Sequence, residues 1–195
     1  MTYHRHIRLH RGFTLIEILI VIAIIAILMT IGMFAFNAIK EKKRAETVKV
    51  TISALSTALD QYRSDHSCYP VGDGSETSST KLYEALYRDE DGDGRPDMNP
   101  EGQGRLKPYW DKLKPGSSDP ESVNVKRRNG RYVILDPWGT PYRYRLGSGQ
   151  NAVDADGNRG NGINADFDIW SLGPDMKGNN GPNKTGDNED NICNW

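Results

Sequence analysis

The chain has 195 residues and a formal net charge of −1, from 25 Lys and Arg against 26 Asp and Glu. This length accommodates about one domain, and the even charge balance excludes the strong positive field with which proteins attract nucleic acid. Two cysteines are too few for a disulfide-dense scaffold. One almost purely apolar stretch near the start of an otherwise polar chain predicts a membrane anchor joined to a water-soluble domain.

Residues 1–12 form a basic segment without acids, and residues 13–39 form an apolar run. A transmembrane helix needs about 20 apolar residues, so the run predicts a single-pass span. A secretory signal has a shorter apolar region, of about 7–15 residues, with its cleavage site behind it. Here the only small residue at a plausible processing point, Gly12, precedes the run. Cleavage after Gly12 would therefore remove a leader at 1–12 and leave the apolar segment on the mature chain.

The apolar run contains one charged residue, Glu17. Acids inside a membrane are costly and usually have a partner. Cleavage after Gly12 would free an α-amine on Phe13, four residues before Glu17 and on the same face of a helix. In a stack of staggered parallel helices, the amine of one copy is placed to meet Glu17 of its neighbour. The alternative is that Glu17 lies near the membrane surface, where it snorkels or stays protonated.

The sequence GFTLIE, from Gly12 to Glu17, together with the apolar run behind it, resembles the class III signal of type IV prepilins and pseudopilins. In that family a membrane peptidase cuts after the glycine on the cytoplasmic side and methylates the new N-terminal Phe. The resemblance implies these roles for Gly12 and Phe13, and the role of the family's assembly glutamate for Glu17. The chain departs from the family where many members carry a proline, because Gly32 lies in that region and no proline does.

Residues 40–65 contain neither Gly nor Pro, so the predicted helix continues beyond the apolar run to about Asp65. Apolar residues recur in this half with helical spacing and form one stripe, which must pack on other elements. The stripe consists of Val48, Ile52, Leu55, Leu59 and Tyr62. We expect the helix to end before Pro70, because the residue that precedes a proline disfavours the helical conformation.

Residues 66–130 are predicted to be a variable loop region with one short helix at about 81–87. Residues 108–130 mix Pro, Ser, Asp and Lys and are predicted to be surface loops. Residues 131–195 are predicted to form a β-sheet and a C-terminal loop. Three segments have the aromatic, β-branched or alternating composition of short strands: 131–135, 142–146 and 166–172. Packed on the apolar stripe, they predict an α+β fold with a long N-terminal helix and a small antiparallel sheet.

Two further segments, LDPWGTPY at 135–142 and DFDIWSLGPD through the final ICNW at 166–195, resemble the major pseudopilins of type II secretion. The resemblance implies a type IV pilin-like fold with a C-terminal calcium-binding loop. It implies a filament subunit of the pseudopilus, held in the inner membrane with its soluble domain in the periplasm. The implied partners are further copies of the chain, minor pseudopilins, the prepilin peptidase, and an inner-membrane assembly platform with its ATPase.

The last 25 residues are rich in Gly, Asn and Asp and poor in apolar residues, so the segment cannot build a core of its own. Calcium takes six to eight oxygen ligands from carboxylates and main-chain carbonyls in such loops. Asp175, Asp187 and Asp190 are placed to converge if the segment folds back. The resemblance adds the carbonyl of Leu172 to this set of calcium ligands. The alternative is a solvated acidic tail.

A second acidic segment has the spacing of an EF-hand calcium loop, with acids at loop positions 1, 3, 5 and 9 and Gly94 at position 6. Position 12 is Pro100 instead of the bidentate Glu, so the segment is not an EF-hand proper. It predicts a weak calcium site or a solvated acidic turn. The four acids are Asp89, Asp91, Asp93 and Asp97.

Cys68 and Cys193 form a disulfide in one interpretation, because an oxidising compartment outside the cytoplasm permits the bond. Only His66 remains after removal of the leader, so the inventory of catalytic residues predicts that the protein is not an enzyme. Two alternatives to the pseudopilin remain. One is a type IV pilin or minor pilin of a motility, adhesion or DNA-uptake filament. The other is a signal-anchored calcium-binding domain that never polymerises.

Overall fold

The structure is a computed structural model. It describes residues 13–178 and 186–195, except for the side chains of residues 31–35 and 188. The chain divides into two compact units, with the boundary between Lys42 and Lys43. We call the second unit, Lys43–Trp195, the head. The elements in chain order are α1 (Leu15–His66), α2 (Ser78–Tyr87), a 3-10 turn (Asp111–Leu113), β1 (Asn124–Arg128), β2 (Arg131–Leu135), β3 (Arg143–Leu146), β4 (Phe167–Ser171), a second 3-10 turn (Gly186–Asn188) and β5 (Ile192–Cys193).

The first unit contains the N-terminal part of α1, in which the large apolar side chains are exposed by 44–93% of their surface. Among the described residues, these side chains are therefore not covered by other parts of the chain. Within the described part of the chain, no helix is both long enough and apolar enough for membrane crossing. The predicted span at 13–39 includes residues 31–35, whose side chains lie outside the described set.

In the head, the predicted apolar stripe on α1 is confirmed. Val48, Leu55 and Leu59 are fully buried, Ile52 is nearly so, and Tyr62 packs against the core from its edge. These residues join a single apolar cluster with residues of α2 and of the strands. Helix α1 runs one residue beyond the predicted end at Asp65, and the amide of Ser67 closes it by donating to the carbonyl of Arg63 at 2.7 Å.

Helix α2 begins at Ser78, three residues before the predicted start at 81. Its first two residues are buried serines whose hydroxyls satisfy main-chain groups of the strands. The hydroxyl of Ser79 donates to the carbonyl of Ile134 and accepts from its amide, both at 3.0 Å. The hydroxyl of Ser78 accepts from the amide of Tyr144 at 3.1 Å. Because serines carry no apolar periodicity, the sequence pattern missed this first turn.

The strands form two sheets instead of the single sheet predicted. Strand β2 pairs antiparallel with β1, through a turn at Asn129 and Gly130 that has positive φ at both residues, as tight hairpins require. Strand β4 pairs antiparallel with both β3 and β5. The prediction of a surface loop at 108–130 is wrong for β1, which is charged and buries only Val125, so that it carries no alternating apolar signal.

A buried ion pair fixes β3 against β4. The Nε atom of Arg145 donates to Oδ2 of Asp168 at 2.8 Å, and both side chains are almost completely buried. The carboxylate of Asp168 also accepts from the amides of Ile163 and Asn164, at 2.7 and 2.9 Å. The carboxylate of Asp168 therefore connects β4 both to β3 and to the loop that precedes β4.

Candidate functional site

Gly12, the predicted cleavage position, lies outside the described residues together with the leader. Phe13 is exposed. Glu17 and Thr14 form a reciprocal cap at the start of α1. Oε2 of Glu17 accepts from the amide and the hydroxyl of Thr14, at 2.8 and 2.9 Å, and Oγ1 of Thr14 accepts from the amide of Glu17 at 3.3 Å. This is the capping-box arrangement, and it holds the carboxylate at the end of the helix where a helix stabilises negative charge.

The acidic loop that follows α2 brings together three of its four predicted ligands. Asp89, Asp91 and Asp97 each offer a carboxylate oxygen within 4.8 Å of the others, and no other group of this kind occurs among the described residues. Asp93 is not a member of the group, and its Oδ1 atom accepts from the amide of Arg95 at 2.7 Å. Asp93 therefore does not join the group that the other three predicted acids form.

Asp89 is the fully buried centre of this loop. Its Oδ1 accepts from the amides of Gly92 and Asp93, at 2.9 and 3.1 Å. Its Oδ2 accepts from the amide of Gly94 and from the hydroxyl of Tyr83, both at 3.0 Å. Burial raises the pKa of the Asp89 carboxyl above its ordinary value, and it also raises the pKa of the Tyr83 hydroxyl. The loop is thus closed around an acid whose charge is poorly solvated.

In the C-terminal loop, Asp190 contacts the segment that follows β4, at Gly173 and Asp175. The amide of Asp175 donates to Oδ2 of Asp190 at 3.1 Å. Gly173 has a φ of 73°, and a Cβ atom at this position would lie 2.4 Å from the carbonyl oxygen of Asp190. Only a glycine permits so close an approach. Leu172, buried at the end of β4, immediately precedes this contact.

The three predicted acids of the C-terminal loop do not gather as closely as expected, because they are absent from the groups within 4.8 Å among the described residues. Oδ1 of Asp175 accepts from the amide of Lys177 at 2.8 Å, and Asp187 lies exposed in the second 3-10 turn. The contacts described above join Leu172, Asp175 and Asp190, and Asp187 is not among the residues of these contacts. Their carboxylate and carbonyl oxygens are ligands of the type that calcium prefers, so the donor chemistry fits this ion.

Asp136 is a buried acid that the sequence pattern identified only as part of a turn. Its Oδ1 accepts from the amides of Trp138 and Thr140, at 3.0 and 2.9 Å. Its Oδ2 accepts from the hydroxyls of Thr140 and Ser171, at 2.5 and 2.6 Å. The first three bonds are local and follow from an Asp at the start of a turn. The bond to Ser171, across 35 residues, has no sequence signal.

Both cysteines are free thiols in the structure, so the predicted disulfide is not formed. Tyr69, next to Cys68, contacts Phe167 with 5.4 Å between the ring centroids, whereas Cys193 pairs with Trp170.

Comparison with known proteins gives matches over nearly the whole chain. A family model described as the prokaryotic N-terminal methylation motif matches residues 7–33. The type II secretion system core protein G of Pseudomonas aeruginosa is 29% identical over 188 residues, which are 96% of this chain and 96% of that protein. The core protein G of Vibrio cholerae is 28% identical over 178 residues, covering 86% of this chain and 97% of that protein.

Among solved structures, the chain is similar to the major pseudopilin from the type 2 secretion system of enterohaemorrhagic Escherichia coli. The identity is 27%, the match covers 81% of this chain and 87% of that chain, and the TM-score is 0.39.

Proposed function

We infer that this chain, which belongs to the family of type II secretion major pseudopilins, is the structural subunit that polymerises into the pseudopilus and drives protein export across the outer membrane. The observation that carries this function is the similarity to a core protein G over 96% of both chains. The methylation motif at residues 7–33 supports it, because the motif includes Gly12, Phe13 and Glu17. The role is structural instead of catalytic.

Assembly begins with cleavage after Gly12 by the prepilin peptidase, which also methylates the amine of Phe13. In the filament, that amine meets Glu17 of a neighbouring copy. The capping box with Thr14 supports this pairing, because it holds the Glu17 carboxylate at the first turn of α1. Opposite charges attract strongly where water is excluded, so the contact fixes how far one helix is shifted along the next.

The exposed apolar side chains of α1 support an anchor in the inner membrane before assembly and a helical filament of packed copies afterwards. In both states this surface is removed from water, which is the main source of stabilisation available to it. The remaining partners are minor pseudopilins and an inner-membrane platform with its ATPase. The head, Lys43–Trp195, then lies in the periplasm.

The carbonyl of Leu172 and the carboxylates of Asp175, Asp187 and Asp190 would hold a calcium ion in the C-terminal loop. The contact between Asp175 and Asp190 supports this set. When bound, the ion neutralises the carboxylates and orders a segment that has too few apolar residues to order itself. A second, weaker calcium site at Asp89, Asp91 and Asp97 is supported by the close approach of their carboxylates.

Deletion of the gene tests the secretion function. In a host whose exoproteins can be assayed, the deletion should leave them in the periplasm, and the wild-type gene should restore their release. Normal secretion combined with loss of a surface pilus, of motility or of DNA uptake would contradict the proposal. That outcome would favour a type IV pilin of another filament system.

A further inference from the structure

A continuous path of hydrogen bonds leads from the turn at Asp136 to the C-terminal loop. Oδ2 of Asp136 accepts from the hydroxyl of Ser171 at 2.6 Å. Oγ of Ser171 in turn accepts from the amide of Gly173 at 3.1 Å. Asp136 and Ser171 are both fully buried, so these bonds are protected from competition with water. The residue between Ser171 and Gly173 is Leu172.

From Gly173, a close steric approach rather than a hydrogen bond leads to the acids of the loop. Asp190 packs directly against Gly173. A Cβ atom at position 173 would collide with the carbonyl oxygen and the carboxylate of Asp190. The Asp190 carboxylate then accepts from the amide of Asp175 at 3.1 Å. The 171–173 backbone, which includes Leu172, is therefore in direct contact with Asp190, whose carboxylate in turn bonds the Asp175 amide.

We propose that Asp136 is a positioning residue for the C-terminal calcium loop and acts through Ser171. This inference rests on the calcium proposal made above. It gives the turn at 136–140 a role beyond reversing the chain between β2 and β3, because one carboxylate accepts from residues of the turn and also, through Oδ2, from Ser171. Groups that orient metal ligands from outside the ligand set commonly change metal affinity by 10–100-fold when they are removed.

Two hydroxyls donate to the same oxygen of Asp136, and this provides a matched pair of variants. Ser171→Ala removes the bond that leads to Gly173. Thr140→Val removes the other hydroxyl bond, at 2.5 Å, and leaves the path to the loop intact. Each variant removes one hydroxyl bond to the same buried carboxylate, so both should lose similar stability for that reason alone. Only an effect specific to Ser171→Ala is evidence for positioning of the loop.

The experiment uses the full mature chain in detergent, with calcium as the only ligand and calorimetry as the measurement of affinity. All chains carry Asp91→Asn and Asp97→Asn, which remove the second proposed calcium site from the measurement. We expect Ser171→Ala to weaken calcium binding at least 10-fold, and Thr140→Val to change it less than about twofold. Equal affinities in the two variants would overturn the proposal.

Hydrogen exchange in EGTA provides a readout that does not need calcium. Ser171→Ala should speed exchange of the Asp175 amide, which lies beyond the Gly173 contact, and Thr140→Val should leave it unchanged. Unchanged exchange at Asp175 in Ser171→Ala would overturn the coupling. If the parent chain with Asp91→Asn and Asp97→Asn binds no calcium, the C-terminal calcium site itself is contradicted, and the Asp175 amide alone then decides whether Asp136 positions the loop.

Discussion

The two units of the chain differ in where their apolar surface is covered. In the head, Leu55 is 0% exposed and lies in a cluster supplied by α1, α2 and the strands. In the first unit, Leu19 on the same helix is 61% exposed. The head therefore obtains its stability from contacts within one chain, whereas in the proposed function lipid or further copies cover the apolar surface of the first unit.

The acids of the two units show the same difference. Asp168 in the head is buried and bonded by a guanidinium and by two amides of the chain. Glu17 in the first unit is bonded only locally among the contacts described, by the cap with Thr14. A buried acid with partners from its own chain stabilises a fold, while an exposed acid in an apolar segment is suited to a partner from another chain. Substitutions in the two units should therefore affect different quantities: stability in the head, and assembly in the first unit.

Loss of the Glu17 carboxylate should have the largest effect. We expect Glu17→Ala to abolish filaments while leader cleavage and the stability of the head remain unchanged, because the described contacts of Glu17 are with Thr14, in its own unit. Electron microscopy counts the filaments, and mass spectrometry shows the cleavage. Filaments in normal numbers would contradict the pairing with a neighbouring amine.

Loss of the Arg145 guanidinium should be the most destabilising change in the head. Arg145→Ala leaves Asp168 buried without its cation, which typically costs about 3–5 kcal/mol in the free energy of unfolding. Lys49→Ala is the matched control, since it breaks the exposed pair of Lys49 with Glu46 and should cost less than about 1 kcal/mol. Urea unfolding of the detergent-solubilised chain measures both, and similar costs would show that Asp168 is not held as described.

A pair of Leu→Ala substitutions in α1 tests the comparison directly. Leu55→Ala should lower the free energy of unfolding of the head by about 2–5 kcal/mol, because it opens a cavity in the core. Leu19→Ala should change that quantity by less than about 0.5 kcal/mol and should instead weaken filament assembly. Equal effects of the two substitutions on unfolding would remove the distinction between the units.

Calcium removal is expected to have a smaller effect on the stability of the head. At a calcium concentration about 100 times Kd, bound calcium stabilises a protein by about 2.7 kcal/mol. EGTA should therefore lower the Tm of the head by roughly 5–10 °C, at about 2–4 °C per kcal/mol for a domain of this size. An unchanged Tm would remove calcium from the account, and the C-terminal loop would then be ordered by protein contacts alone.

The sequence predicted well the elements whose residue pattern is long and periodic or rich in strand-forming residues. The stripe from Val48 to Tyr62 repeats over several helical turns, so its burial was foreseeable. Strand β2 was predicted with its observed bounds because it is rich in β-branched and aromatic residues. Strand β1 was missed because its exposed face is charged, and β5 because two residues carry no period.

Part of the candidate site was also predictable. The spacing of Asp89, Asp91 and Asp97 around two glycines with positive φ predicted their approach. The direction of the Asp93 side chain was not predictable, because a local bond to the Arg95 amide competes for it. The bond between Asp136 and Ser171 depends on how the β2–β3 turn meets β4, which no local pattern encodes.

The mass of the N-terminal peptide of the protein purified from cells tests the central claim most directly. In the proposed assembly, cleavage after Gly12 frees an amine four residues before Glu17, and this amine pairs with Glu17 of another copy. We predict that the mature chain begins at Phe13 and carries one methyl group on its amine. A chain that still begins at Met1, with the basic leader intact, would contradict the account.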